Sequence, residues 1–385
     1  MNLLNHYADH LERLKQQGNL RQFVSHTQYN QYIQINHHDM LNLSSNDYLG
    51  LAGQIDLREQ FFQHQVDVLP RMSASSSRLL TGNFVEYEQL EASLSQAFLG
   101  RSALIFNTGY HMNIGILPAI ADQKTLILAD KLIHASIIDG IRLSSAKYLR
   151  YRHNDLAHLC QLIEKYHDDD VYERIIVVTE SIFSMDGDET DLTHLVQIKQ
   201  RFSKVMLYVD EAHAIGVRGA MGLGCAEQYN VIANIDFLVG TFGKALASVG
   251  GYLICHEVIR QYLINTMRPL IFSTAQPPIC MAWTQFIFEY MQGLQSARQD
   301  LAIKSDFLRQ QVIARGFDCP SSSHIVPVII GDSKQTVIQA KKLQNAGFYM
   351  MPVRPPTVPQ HSSRLRICLN SIIEISDLQR LVHLL

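Results

Sequence analysis

Two apolar runs in this sequence end in residues able to do chemistry. Val205-Met-Leu-Tyr-Val-Asp210-Glu-Ala-His213 closes on a carboxylate with a histidine three positions later. Asp236-Phe-Leu-Val-Gly-Thr241-Phe-Gly-Lys244 closes on a hydroxyl and then a lysine. In open α/β sheets ligands gather at the carboxyl ends of the strands. A carboxylate there adds nothing to packing and is costly to bury without a partner. A desolvated lysine has a lowered pKa and becomes a nucleophile. Taken singly, each has a plainer reading: a strand-end Asp is as often a helix cap or a solvated loop acid, and a Gly-Lys pair is more often a surface turn. Lys244 does not sit in a P-loop, because Leu238 and Ala245 stand where that motif needs Gly and Ser or Thr.

Two further segments follow apolar runs. Asn107-Thr-Gly109-Tyr110-His-Met-Asn113 opens a helix after residues 103–106, and a helix start offers free N–H groups to a phosphate. Asp130-Lys-Leu-Ile-His134-Ala-Ser136 sets a histidine at another helix start, where caps and core residues are commoner than catalysts. Together the four segments bring a phosphate site, a ring-facing His, an acid and a lysine to one sheet edge. That set suits an aldehyde-bearing, phosphorylated pyridine: the lysine forms a Schiff base, the acid keeps the ring nitrogen protonated, and the helix start holds the phosphate. The run Gly216-Val-Arg-Gly219-Ala-Met-Gly222-Leu-Gly224 lacks GxGxxG spacing and reads as a flexible loop. No HExxH is present, and His6 with His10 lack a third ligand, so no metal site is expected.

The elements that must position these groups alternate. Apolar runs at 103–106, 125–129, 174–179, 205–209, 237–240 and 251–255 are separated in most places by helical periodicity, as at 114–121, 156–166 and 192–202. That pattern predicts an α/β fold with a largely parallel sheet covered on both faces. A helical stretch at 276–315, broken near Gly293, leads to runs at 325–330, 348–353 and 365–369 with a helix at 335–346. The expected domains are an N-terminal arm at 1–50 with an amphipathic helix at 3–17 packed on the body and a short strand at 41–45, a large domain at 51–275, and a small α+β domain at 276–385. The 385 residues carry 33 Lys+Arg against 36 Asp+Glu, a net charge of −3, with 47% hydrophobic and 18% charged. This excludes a disordered chain and argues against a nucleic-acid binder. Six dispersed cysteines read as reduced and buried, the N-terminus lacks a secretory pattern, and the longest uncharged stretches are broken by polar residues and Pro. A cytoplasmic protein with no membrane span is expected.

Over nearly its whole length the chain resembles the α-oxoamine synthases, fold-type I enzymes with an aminotransferase-like fold. The resemblance rests on Ser44-Ser-Asn-Asp-Tyr-Leu-Gly50, Ser77-Arg-Leu…Gly82, Thr179-Glu-Ser-Ile-Phe-Ser-Met-Asp-Gly187, Val209-Asp-Glu-Ala-His213 and Thr241-Phe-Gly-Lys244, in that order. It implies pyridoxal phosphate as cofactor, with Lys244 the Schiff-base lysine, Asp210 the partner of the ring nitrogen and His134 stacked on the ring and acting in catalysis. It further implies Gly109, Tyr110, Ser184, His213 and Thr241 around the cofactor. Arg21, Arg354 and Thr357 match substrate-binding positions, with His134 again in contact. The family also implies a homodimer whose sites lie between subunits, so that Ser273 and Thr274 reach the partner's phosphate. Arg354-Pro-Pro-Thr-Val-Pro359 with Arg364-Leu-Arg366 is similar to the biotin-pathway members, which join L-alanine to a pimeloyl thioester on coenzyme A or a carrier protein. Sister enzymes pair glycine or serine with other acyl-CoAs or make signalling amino ketones. A non-catalytic cofactor-binding regulator would need an added DNA-binding module, and an NAD oxidoreductase its glycine fingerprint. Ser73–Ser77 and Ala245–Ala247 depart from the family pattern and bear on pocket width and acyl choice.

Overall fold

Buried on both faces, a strand has no need to alternate apolar and polar residues. Thr125–Asp130 has all six residues buried, and it lies inside a seven-stranded sheet. Across this sheet the order is Ser102–Phe106, Gly251–Cys255, Phe237–Thr241, Val205–Asp210, Arg174–Glu180, Thr125–Asp130 and Lys147–Tyr151. Gly251–Cys255 is antiparallel to both its neighbours, and all the other pairings are parallel. The α/β expectation therefore holds. Each of the six apolar runs read between 103 and 255 is a strand here, within a residue at either end, whereas the run at 348–353 is two short strands of different sheets and that at 365–369 is the strand Ser363–Cys368. Lys147–Tyr151 escaped that reading because it is an edge strand with mostly exposed side chains, so it shows no apolar run.

The structure, a computed structural model, describes residues 3–64 and 69–385. They divide into two compact units: 54–183 with 189–298, and the N-terminal residues to Gly53 with 184–188 and 299–385. The first holds the large sheet. Its core joins strand residues such as Phe106, Ile127, Val178, Tyr208 and Val239 to Met112, Ile116, Ile137 and Ile141 of two helices, Gly109–Ile120 and Ala135–Leu143. These helices touch at Gly140, where an added Cβ would lie 2.3 Å from the Asn113 carbonyl oxygen. Only a glycine allows that approach.

The second unit joins the two ends of the chain. Thr27–Tyr29, Tyr32–Ile35 and His38–Asn42 form a small sheet that Phe348–Tyr349 completes in parallel, with Phe348 opposite Leu41. A second small sheet orders Ile325–Gly331, Ser363–Cys368 and Pro352–Val353. The separate arm expected at 1–50 is thus part of the C-terminal unit, because its strand is completed by C-terminal residues. The expected boundary at 276 falls at 299 instead. The Pro278–Gln292 helix stays with the large unit, where Ser93 of the Val85–Ala97 helix donates to Glu289 at 2.8 Å. The N-terminal helix forms at Asn5–Gln16 but buries none of its residues, with Tyr7 and Leu11 exposed as is Leu4 before it, so it is not packed on the body as its periodicity predicted. The strand expected at 41–45 is displaced to His38–Asn42.

None of the six cysteines forms a disulfide. Cys225, Cys255 and Cys368 are buried as expected, whereas Cys160, Cys280 and Cys319 are only partly so. Among the described residues no helix is long and apolar enough to cross a membrane.

Candidate active site

Parallel register does the first part of the positioning. Glu180 pairs with Asp210, and Asp210 with Val239, so two neighbouring strands end level at their carboxyl edge and the third runs two residues further, to Thr241. Beyond that edge lies a cavity of about 180 Å³, lined by Gly109, Tyr110, Asn113, His134, Ser136, Glu180, Asp210, His213, Thr241 and Lys244 among others. All belong to the large unit. Seven of the residues singled out in the sequence are therefore brought together: Gly109, Tyr110, His134, Asp210, His213, Thr241 and Lys244.

Asp210 is 6% exposed. Its Oδ1 accepts from the Ala212 N–H at 2.9 Å and its Oδ2 from Asn113 Nδ2 at 3.2 Å. Lys244 Nζ lies 2.9 Å from His213 Nε2. Thr241 donates to the Gly250 carbonyl at 2.8 Å and accepts from the Gly243 N–H at 3.2 Å, which fixes the turn that delivers Lys244. At the opposite wall Thr108 caps the Gly109–Ile120 helix, its Oγ1 accepting from the His111 N–H at 3.0 Å. The side chain leaves N–H groups of the first turn without a helical partner, which suits an anion. A Cβ on Gly109 would stand 3.6 Å from Thr241 Cβ and 3.7 Å from its Oγ1, so the helix start and the strand end face one another across a short gap.

His134 is the N-cap of Ala135–Leu143, and its backbone N–H donates to Glu180 Oε1. Burial lowers its pKa, as does the Lys244 charge, while Asp210 acts the other way. Burial first, and then the Asp210 charge, push Glu180 well above the usual carboxylate range. These surroundings favour the neutral imidazole of His134 and shift Glu180 toward its protonated form. Glu180, Asn113 and Ser136 were not assigned from the sequence. Glu180 ends an apolar strand just as Asp210 does, and that signal was there to be used. Asn113 and Ser136 lie one turn or less into helices, where polar residues are unremarkable.

The other site residues lie elsewhere. Arg21, Arg354 and Thr357 belong to the second unit and form a group there. Arg21 donates to Thr357 Oγ1 at 2.8 Å, and Arg354 donates to the Gly18 carbonyl. Burial, then the Arg21 charge, lower the Arg354 pKa. Two cations held close together are suited to an anionic partner. Ser184 also belongs to this unit, and its carbonyl accepts from the buried Arg366. Ser273 and Thr274 follow the Arg268–Phe272 helix and are not among the residues lining the cavity. The Thr274 carbonyl accepts from Asn107 Nδ2 at 2.7 Å. The glycine run is not a loose loop: Glu227 accepts from the Met221 and Leu223 N–H groups at 2.9 and 2.8 Å, and Glu211 accepts from those of Cys225 and Ala226 at 3.1 and 2.7 Å.

Residues 38–385 match the family model for aminotransferase class I and II. The chain is 51% identical over 386 residues to the 8-amino-7-oxononanoate synthase of Haemophilus ducreyi, covering 98% of this chain and 99% of that one. It is similar in structure to a serine palmitoyltransferase from S. paucimobilis solved with PLP and myriocin bound, with a TM-score of 0.89, 25% identity, and coverage of 100% of this chain and 97% of that one. It is also similar to the 8-amino-7-oxononanoate synthase of Francisella tularensis, with a TM-score of 0.75, 26% identity, and coverage of 90% and 96%.

Proposed function

Because the chain belongs to the 8-amino-7-oxononanoate synthases, pyridoxal-phosphate-dependent acyltransferases of the class I and II aminotransferase family, we propose that it condenses L-alanine with a pimeloyl thioester, releasing CO2 and a free thiol. The observation that carries this reading is the single cavity lined by Lys244, Asp210, His134 and the start of the Gly109–Ile120 helix. Its donor set fits the cofactor. A buried carboxylate answers a protonated ring nitrogen, an amine answers an aldehyde, and a helix start answers a phosphate. When bound, pyridoxal phosphate supplies an electron sink for the negative charge that develops at the amino-acid Cα.

The chain's own residues do the rest. Lys244 Nζ would hold the cofactor and would take the Cα proton of the amino acid, with His213 Nε2 beside the amine at 2.9 Å. Asp210 holds the proton of the ring nitrogen. His134 covers the ring and donates to the oxygen that gains charge when the thioester carbonyl is attacked. Gly109, Tyr110 and Thr241 hold the phosphate end, and Ser184 with His213 the ring hydroxyl. Arg354 takes the alanine carboxylate and Arg21 the far end of the acyl chain, with Thr357 beside them. The working form is a homodimer in which Ser273 and Thr274 of a second copy complete each phosphate site.

The test is thiol release by the purified, cofactor-loaded chain with alanine, glycine and serine, each against pimeloyl-, acetyl-, succinyl- and palmitoyl-CoA. Alanine with pimeloyl-CoA is expected to give the highest kcat/KM. A higher value for glycine or serine with any of the other thioesters would overturn the substrate assignment and indicate a sister synthase.

A further inference from the structure

Two buried polar side chains, Asn113 and Ser136, join the acid of the cavity to its histidine, and a third, Tyr208, holds Asn113. Tyr208 OH donates to Asn113 Oδ1 at 2.5 Å. Asn113 Nδ2 donates to Asp210 Oδ2 at 3.2 Å and to Ser136 Oγ at 2.9 Å. Ser136 Oγ lies 2.8 Å from His134 Nδ1, and the Ser136 backbone N–H donates to that same nitrogen at 3.2 Å. Tyr208, Ser136 and Asn113 are 0%, 1% and 2% exposed.

The proton positions in this chain follow from chemistry. An ionised carboxylate only accepts, so the Asn113 group facing Asp210 is the NH2, and its oxygen faces Tyr208. Both amide hydrogens are then committed, one to Asp210 and one to Ser136. With a Ser136 lone pair occupied by Asn113, the hydroxyl hydrogen is free to turn toward His134 Nδ1. The Ser136 backbone N–H can only donate. His134 Nδ1 therefore faces two donors and carries no proton, and the ring hydrogen sits on Nε2.

We propose that Asn113 and Ser136 are positioning residues that fix His134 as the neutral Nε2–H tautomer and tie its place to that of Asp210. This rests on the reading that Asp210 and His134 serve the cofactor ring. A neutral donor can hydrogen-bond a developing oxyanion without adding a second positive charge beside the ring cation that Asp210 supports. Protonating Nδ1 would set its hydrogen against two others, and burial of His134 acts in the same direction. The titratable groups around the ring are Asp210, Lys244, Asp139 and Glu180.

The test is long-range proton–nitrogen NMR on protein labelled with 15N-histidine, with and without pyridoxal phosphate. The His134 signals are identified by their absence in His134→Gln. The wild type is expected to show the Nε2–H pattern from pH 6 to 9. Ser136→Ala removes the hydroxyl donor, and Tyr208→Phe frees the Asn113 amide to turn. Each is expected to raise the His134 pKa by about one unit, a tenfold change in the protonation constant. Asn113→Leu removes both tethers and should do the same. If it does not fold, as judged by circular dichroism, the two smaller changes decide. An Nδ1–H or doubly protonated pattern in the wild type at pH 7.5 overturns the proposal, as does an unmoved His134 titration in Ser136→Ala and Tyr208→Phe. The measurement on cofactor-free protein stands whether or not the ring reading is right. Loss of that reading would appear separately, as a visible absorption band that survives Lys244→Ala.

Discussion

Asp210→Asn keeps the size of the side chain and removes its charge. Losing a carboxylate partner moves a neighbouring base by about one to three pKa units. The ring nitrogen then gives up its proton, and turnover should fall by roughly ten- to a thousandfold at 1.36 kcal/mol per unit, with the cofactor still bound. An unchanged kcat with stoichiometric cofactor would remove Asp210 from that role. Arg354→Lys addresses the substrate end. A guanidinium pairs with a carboxylate through two parallel bonds, which an ammonium cannot reproduce. The KM for alanine should rise about tenfold or more, as a charged hydrogen bond is worth about 1.5–3 kcal/mol. The KM for the thioester should change far less, and the reverse pattern in steady-state kinetics would exchange the roles of Arg354 and Arg21. The sequence singles out Asp210, His213 and Lys244, which line the cavity, because each closes or follows an apolar strand. It did not reveal Glu180, Asn113 and Ser136 as site residues, because a buried polar group is recognised by its partners. Those partners here come from other elements of the sheet and its helices.

Two elements are held by contacts that single substitutions probe. The helices Gly109–Ile120 and Ala135–Leu143 meet at Gly140, where the Asn113 carbonyl would clash with any Cβ. Gly140→Ala forces the helices apart and disturbs the Asn113–Ser136 link. It should cost about 1–3 kcal/mol in urea denaturation and lower kcat more than any change on the outer face of the same helix. Full stability in this variant would contradict the close packing. Glu211 holds the short Cys225–Gln228 helix through two N–H groups and Ser181, and burial pushes its carboxyl up to about 7. As the pH rises from about 4.5 to about 7 the unfolded chain releases this proton first, so stability is lost across that interval, by about 3 kcal/mol. Glu211→Gln carries an offset from its altered hydrogen bonds but should show a flatter dependence of the urea midpoint on pH between 5 and 8. Parallel slopes for variant and wild type would contradict the raised pKa. Element identity was legible wherever strands are wholly apolar or helices strongly periodic. The edge strand Lys147–Tyr151 was hidden by its charges, and the N-terminal helix misled because its apolar stripe stays exposed.

At the scale of the whole molecule, the proposed dimer makes a quantitative claim. If Ser273 and Thr274 serve the partner's site, a chain carrying Lys244→Ala and another carrying Ser273→Ala with Thr274→Ala are each defective alone. Their mixed dimer has one site built entirely of native residues. Co-expressed in equal amounts, they should recover about a quarter of native activity, since half the two-fold dimers are mixed and each has one good site of two. No recovery beyond the two parents would place Ser273 and Thr274 in their own subunit's chemistry. The domain plan was the least legible feature, because a unit assembled from both chain ends leaves no local signal of its membership.

Gly251–Cys255, the one reversed strand of the large sheet, lies between Ser102–Phe106 and Phe237–Thr241. The helix start at Gly109 and the lysine turn at Thr241 come from the strands on either side of it. A growing chain on the ribosome therefore holds every residue of the cavity before it holds the strand that joins the two walls. Pairing partners so far apart along the chain form slowly. Fragments ending before Gly251 should bind no cofactor although every lining residue is present, and until then the edges of Ser102–Phe106 and Phe237–Thr241 remain open to the wrong partner.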